Sequence, residues 1–407
     1  MTFALYANTV SPHQLPLARE IVSCLGAENY RYIYTDQLPP ERVNLGWGDA
    51  GAPWLMQYSS PGAAEWLRDA DVVMMQHHRD WNLLEDRLSR GKTCLYPSER
   101  WFKPRLGMIR LLWPRYFMMA RRFVRMLERY DRLLYLPQGI HAARDMARLC
   151  GLMHGDLRCL FRAPRLEFER QPGGRLAVSG QQLAVSSKQL AVSAKRYCLG
   201  KMRMWGYFVE KQLAVSSQQL AVSAETGEDA VKLTTPPLLH SSSLKVLWVG
   251  RLLKLKCVDT IIRAVAEIST RSTRLNISLD IYGTGPEEER LKKMAKGYED
   301  VIRFHGPVSI AEVRKLMREH DVYVFASDAH DGWGAVVSEA LEEGMNVIGT
   351  YEAGSSATML PKERLFHAGD WRVLENLLVR IAQGKLKPTG IDAWTAKMAT
   401  KELLDMV

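Results

Sequence analysis

The chain has little cysteine and no cysteine pattern. Cys24, Cys94, Cys150, Cys159, Cys198 and Cys257 are scattered over 407 residues, with no Cys-x-x-Cys and no paired spacing. This excludes a disulfide framework or a cysteine zinc site and reads as free thiols in a reducing cytoplasm. No run of about 18 apolar residues occurs, so no transmembrane helix is expected. The opening segment, residues 1–7, lacks the basic stretch of a signal peptide and reads as a first β-strand. Histidines and carboxylates are not clustered at ligand spacing. Asp328-Ala329-His330-Asp331 reads as a polar loop, and no metal site is expected.

What is present is an ordinary globular composition with an uneven charge. Hydrophobic residues make up 47% and charged residues 25%, enough to build cores in two or three domains. The net charge is +10, and its placement is the informative part. Between Arg100 and Arg132, ten Lys/Arg face only Glu128 and Asp131. Helical spacing predicts an apolar face of Ile109, Leu112, Trp113, Tyr116, Phe117, Ala120, Phe123, Val124 and Leu127. Arg121, Arg122, Arg125 and Arg129 fall largely opposite, with Pro114 starting or kinking the helix. Such a helix suits an anionic membrane surface through residues 100–132, or packs on its own domain with a solvated arginine face. No nucleic-acid motif accompanies the charge, and no nucleic acid is expected.

Strand and helix signals alternate along the first part. Strands are predicted at 3–8, 30–35, 71–76, 93–96 and 130–136, with polar residues at their C-terminal ends. Residues 171–223 hold Leu-Ala-Val-Ser five times, at 176–179, 183–186, 190–193, 213–216 and 220–223. The copies are too few for a coiled coil and too small for a solenoid, so they read as repeat insertions flanking a strand over Met202–Glu210. A linker follows at 225–243, then a second α/β series from 244 to 385 and a C-terminal helix within 386–407. The expected division is an N-terminal domain over 1–224, the linker, and the second α/β domain.

Four elements of the second series lie after strand ends, where a parallel sheet holds its ligand. They are Gly250-Arg251-Leu252-Leu253-Lys254-Leu255-Lys256, then Tyr282-Gly283-Thr284-Gly285-Pro286, then His305-Gly306-Pro307-Val308. The fourth is Asp331-Gly332-Trp333-Gly334-Ala335-Val336-Val337-Ser338-Glu339. In the last, a Gly-x-Gly turn feeds a helical run between two carboxylates. Free backbone N–H groups there suit a phosphate, and carboxylates suit hydroxyls. Phosphate with polyol points to a nucleotide sugar.

These motifs resemble the retaining group-1 (family 4) glycosyltransferases. Their fold, GT-B, is two Rossmann-like doubly wound parallel-sheet domains facing a cleft. The resemblance is well supported over 245–360 and thin over 1–210. It implies sugar transfer from a nucleotide-diphosphate-sugar donor to a hydroxyl of a glycan or lipid-linked acceptor, with retention and with no cofactor or metal. It assigns Arg251 and Lys256 to the leaving diphosphate, Asp331 to donor-sugar hydroxyls and Glu339 to the ribose. Gly250, Gly283, Gly285, Val308, Gly332, Trp333, Gly334 and Val336 would line the donor. The family has Glu where Asp331 stands, Gly where Cys257 stands, and often a Gly-rich first loop where residues 8–14 have none. Acceptor-side candidates are His13, His77 and His78, where an imidazole could position or deprotonate a hydroxyl. The free thiols place the protein in the cytoplasm, at the inner face of the membrane if the basic segment docks. A non-catalytic nucleotide- or glycan-binding homologue is the alternative. A phosphorylase or epimerase is disfavoured by the acid pair with the Gly-Arg…Lys segment.

Overall fold

A computed structural model describes residues 1–40, 43, 51–76, 80–103, 106–153, 243–271, 275–386 and 396–407. The Leu-Ala-Val-Ser repeats, the strand expected at Met202–Glu210, the linker up to residue 242, and His77 and His78 lie outside the described residues. The chain divides into two compact units. One holds described residues 1–153 together with 396–407, and the other holds 243–386.

The first unit is built on strands β1 (Phe3–Ala7), β2 (Tyr30–Tyr34), β3 (Leu55–Gln57), β4 (Val72–Met75), β5 (Thr93–Ser98) and β6 (Leu133–Pro137). All neighbours pair in parallel, in the order β3-β2-β1-β4-β5-β6. Its helices are α1 (Leu15–Leu25), α2 (Ala63–Asp69), α3 (Trp81–Ser89), α4 (Pro114–Arg129) and α5 (Ile140–Met153). Strand β1 is buried throughout and alternates strictly. Ala4 and Tyr6 enter one core, and Phe3, Leu5 and Ala7 enter the other. That is the period of a strand covered on both faces. Arg87 is fully buried on α3. Its guanidinium donates to the carbonyls of Leu67 at 2.5 Å, Ala70 at 2.9 Å and Thr93 at 3.1 Å. It thereby satisfies the carbonyls that the end of α2 leaves open.

The second unit repeats the plan with β7 (Ser243–Val249), β8 (Asn276–Tyr282), β9 (Ile302–Gly306), β10 (Val322–Phe325), β11 (Asn346–Thr350) and β12 (Leu365–Phe366). The order is β12-β11-β10-β7-β8-β9, again all parallel. Its helices are α6 (Val258–Arg271), α7 (Glu288–Met294), α8 (Ile310–Glu319), α9 (Val336–Glu342), α10 (Gly354–Met359) and α11 (Trp371–Ala382). Ser309 caps α8 by accepting from the Glu312 N–H, and Asp370 caps α11 by accepting from the Val373 N–H. Helix α12 (Ala396–Asp405) belongs to the first unit, where Leu403 joins the core of Phe3 and Leu5. Among the described residues, no helix is long and apolar enough to cross a membrane.

The apolar face expected over Ile109–Leu127 divides in two. Ala120, Phe123, Val124 and Leu127 are buried in the first unit's core, while Ile109, Leu112, Trp113 and Phe117 are exposed. Pro114 opens α4 after the separate 3-10 turn Gly107–Leu112, so Ile109 and Leu112 do not share the helical phase of α4, while Phe117 is exposed within α4 itself.

Candidate functional site

In both sheets the strand order reverses at one point, between β1 and β4 and between β7 and β10. Crossovers leave such a point in opposite directions and open a crevice at the strand C-terminal ends. In the second unit that crevice is bridged by an ion pair. Lys256, from the loop after β7, places Nζ 2.5 Å from Asp331 Oδ2, from the loop after β10. Both side chains are largely buried. The same ammonium lies 5.7 Å from the centre of the Phe325 ring, where the face of the ring favours a cation.

Backbone hydrogen bonds hold the two loops together. The Asp328 N–H donates to Leu255 O at 2.8 Å, and the Asp331 N–H to Asp328 O at 3.2 Å. His330 folds back on Asp328, its Nδ1 lying 3.1 Å from Oδ1. The expected polar loop is therefore a scaffold that aims Asp331. Gly334 has φ +78, and a Cβ there would lie 2.2 Å from the Phe325 ring. Helix α9 starts at Val336 with Ala335 as its N-cap. Asp331 is therefore not the cap of that helix. Glu339 lies in its first turn, half-buried.

Gly250, Gly283 and Gly285 owe their identity first to packing. The loop after β7 hydrogen-bonds to the loop after β8: Gly250 N–H to Tyr282 O at 3.0 Å, and Leu252 N–H to Thr284 O at 2.9 Å. Gly250 has φ +156. Val308 is half-buried and packs against the core that holds Phe325, Val337 and Val347. Arg251 is exposed and makes no side-chain hydrogen bond or ion pair with the described residues.

Cys257, where the resemblance expects glycine, has φ 47 and is the one described non-glycine residue with positive φ. Its thiol is pushed up to about 12, chiefly by burial and then by Asp328 and Asp259, so it stays protonated and inert at neutral pH. The left-handed conformation costs a non-glycine residue about 1–2 kcal/mol, part of which glycine gives back through its freer unfolded chain. Cys257→Gly is expected to stabilise the protein by about 0.5–1 kcal/mol in urea unfolding. Destabilisation would mean that Sγ packing outweighs the backbone strain.

Sequence reasoning missed a cluster of two histidines around a buried aspartate of β8. Asp280, on β8, lies 2.6 Å from His305 Nε2 and 3.3 Å from His320 Nε2. Burial pushes its carboxyl up, but hydrogen bonds from His320 and His305 outweigh that and hold it below its usual range. His305 then stacks on Tyr282 with centroids 4.4 Å apart and planes 12° from parallel. The signal was faint, because Asp280 reads as one polar residue inside an apolar strand.

In the first unit the reversal point is bridged by neutral groups. Gln14, after β1, donates to Gln76, after β4, and Tyr32 OH bonds to Gln14 Oε1. Tyr32 OH also accepts from the Ser11 N–H at 3.1 Å and meets Thr9 O at 3.0 Å. The glycine-free first loop is thus held by a tyrosine from the neighbouring strand. His13 stands on this loop with its side chain exposed. Gln14, Tyr32 and Gln76 were not anticipated, since each alone is an unremarkable polar residue.

Residues 243–383 match the family model described as "Glycosyl transferases group 1". A D-inositol 3-phosphate glycosyltransferase of Streptomyces griseus is 33% identical over 126 residues, which is 28% of this chain and 26% of that protein. An uncharacterized glycosyltransferase of Methanocaldococcus jannaschii is 28% identical over 120 residues, 29% of this chain and 30% of that protein. The chain thus spans under a third of the length of these curated relatives. Two solved structures align over the whole of this chain. HepE of Anabaena in complex with UDP has a TM-score of 0.57 at 12% identity, covering 100% of that chain. The lipopolysaccharide outer core galactosyltransferase WaaB in its apo form has 0.56 at 14%, covering 98% of that chain. At these identities the likeness shows the GT-B fold.

Proposed function

We propose that this chain, whose residues 243–383 carry a group 1 glycosyltransferase domain, moves a sugar from a nucleoside-diphosphate donor to a hydroxyl acceptor. The observation that carries the proposal is the Lys256–Asp331 pair. It sets a cation and a carboxylate side by side across the reversal point, with Glu339 in the first turn of the next helix. A cation for phosphate, a carboxylate for sugar hydroxyls and a second carboxylate for ribose are the groups such a donor requires.

In the proposed reaction the C1–O bond to the diphosphate breaks, and the acceptor oxygen bonds C1 on the same face. The acceptor proton passes to the departing diphosphate, and configuration is retained. Arg251 and Lys256 stabilise the charge that grows on the leaving group, so the step needs no metal and no resident cofactor. Asp331 and Glu339 orient the donor. The N–H groups of Gly332–Gly334 and Val336 face its phosphates, and Gly250, Gly283, Gly285 and Val308 shape the wall beside it. The acceptor is a glycan or lipid-linked saccharide met by the first domain, and His13, His77 and His78 stay candidates there.

The test is donor turnover. Purified protein with a panel of UDP-, GDP-, ADP- and TDP-sugars is expected to release nucleoside diphosphate from one class. Glu339→Ala is expected to cut kcat/KM by about 10²–10³-fold. Turnover unchanged in Glu339→Ala would remove the ribose assignment. Specific binding without turnover would leave a binding homologue.

A further inference from the structure

We propose that the corner formed by the 3-10 turn Gly107–Leu112 and the start of α4 docks on an anionic lipid surface. Exposed large apolar side chains concentrate there. Leu112 is 81% exposed, Met118 61%, Ile109 58% and Trp113 50%. Outside 106–119, only Met1, Val43, Tyr58 and Val373 are comparably exposed among the described residues. Single exposed apolar residues need no explanation, but a contiguous group of them marks an interaction site.

The corner is a rigid feature of the fold. Pro114 sets the first turn of α4, the Trp113 N–H donates to Arg110 O at 3.1 Å, and the Phe117 N–H donates to Trp113 O at 2.9 Å. The inner face of α4, with Ala120, Phe123, Val124 and Leu127, is already committed to the core. Docking therefore requires no unfolding of the helix.

Charge selects the occupant. Arg115, Arg121 and Arg125 are exposed on the outer face of α4 and have no acidic partner among the described residues. Arg122 is already engaged by Glu85 at 2.6 Å. An apolar tip with arginines behind it suits a bilayer, where the tip enters the headgroup boundary and the guanidinium groups meet lipid phosphates. A second copy on the same face would set arginine against arginine. Nucleic acid would leave Leu112 and Met118 unburied.

The experiment is co-sedimentation of the full chain with vesicles of phosphatidylcholine alone or mixed with phosphatidylglycerol. Wild type is expected to bind the mixed vesicles about tenfold more tightly than the neutral ones. Leu112→Ser/Trp113→Ser/Met118→Ser is expected to lose binding to both. Arg115→Glu/Arg121→Glu/Arg125→Glu is expected to lose the preference for the anionic lipid. All these residues are exposed, so thermal melting of both variants should match wild type. Equal sedimentation of wild type and the Leu112/Trp113/Met118 variant would overturn the proposal. Concentration-dependent dimerisation abolished by that variant would also overturn it and give the face to a second copy. Neither readout depends on donor turnover.

Discussion

Gly283→Ala is expected to destabilise the C-terminal domain by about 3–5 kcal/mol, enough to unfold a marginal one. Gly283 has φ +135, a conformation closed to alanine, and its Cβ would lie 1.8 Å from Gly250 O. Neither backbone can yield cheaply. The Gly283 N–H donates to Gly306 O at 2.7 Å, and the Gly250 N–H to Tyr282 O at 3.0 Å. Relieving the clash would break the seam between the loops after β7 and β8. Gly297→Ala is the control. Its φ is +91, but nothing lies within 4 Å of an added Cβ, so only conformational strain of about 1–2 kcal/mol is expected. Urea unfolding of both variants checks this. Equal losses would show that the contact with Gly250 is not rigid.

The second large effect is on catalysis. Removing both Arg251 and Lys256 is expected to lower kcat/KM about 10³–10⁴-fold, or about 4–5.5 kcal/mol of transition-state stabilisation. The two residues differ in surroundings, and so should their variants. Arg251 is exposed and without a neutralising partner among the described residues, so Arg251→Ala is expected to spare stability. Lys256→Ala strands the largely buried Asp331 carboxylate and is expected to cost about 1–2 kcal/mol of stability besides activity. Adding Asp331→Asn should return most of that stability but none of the turnover. Return of turnover would mean that Asp331 serves Lys256 and never touches donor.

The four motif loops could be read from the sequence because each follows a strand end, and an all-parallel sheet gathers every such end on one side. Lys256 and Asp331 are separated by 75 positions, yet their loops follow neighbouring strands. The sequence could nominate both residues, but only the strand order makes them a pair. Strand β3 escaped notice because it is three half-buried residues at a sheet edge, with no apolar run. The Gln14–Tyr32–Gln76 bridge escaped because its members come from three separate segments of ordinary polarity. At Cys257 the departure from glycine was visible, but its cost became visible only with the left-handed φ. The basic segment was misread in one respect. One apolar face was expected from Ile109 to Leu127 with Pro114 starting or kinking the helix; α4 does start there, but Ile109, Leu112, Trp113 and Phe117 are exposed.

The most direct test of the account is thermal stabilisation by UDP, GDP, ADP and TDP and their sugars, in wild type and in Arg251→Ala/Lys256→Ala. One nucleotide class is expected to raise the wild-type Tm by several degrees at millimolar ligand, and the shift is expected to vanish in a variant that still melts cooperatively. No shift with any nucleotide in well-folded wild type, or a shift that survives in the variant, would contradict the donor site assigned to the Arg251–Lys256 loop.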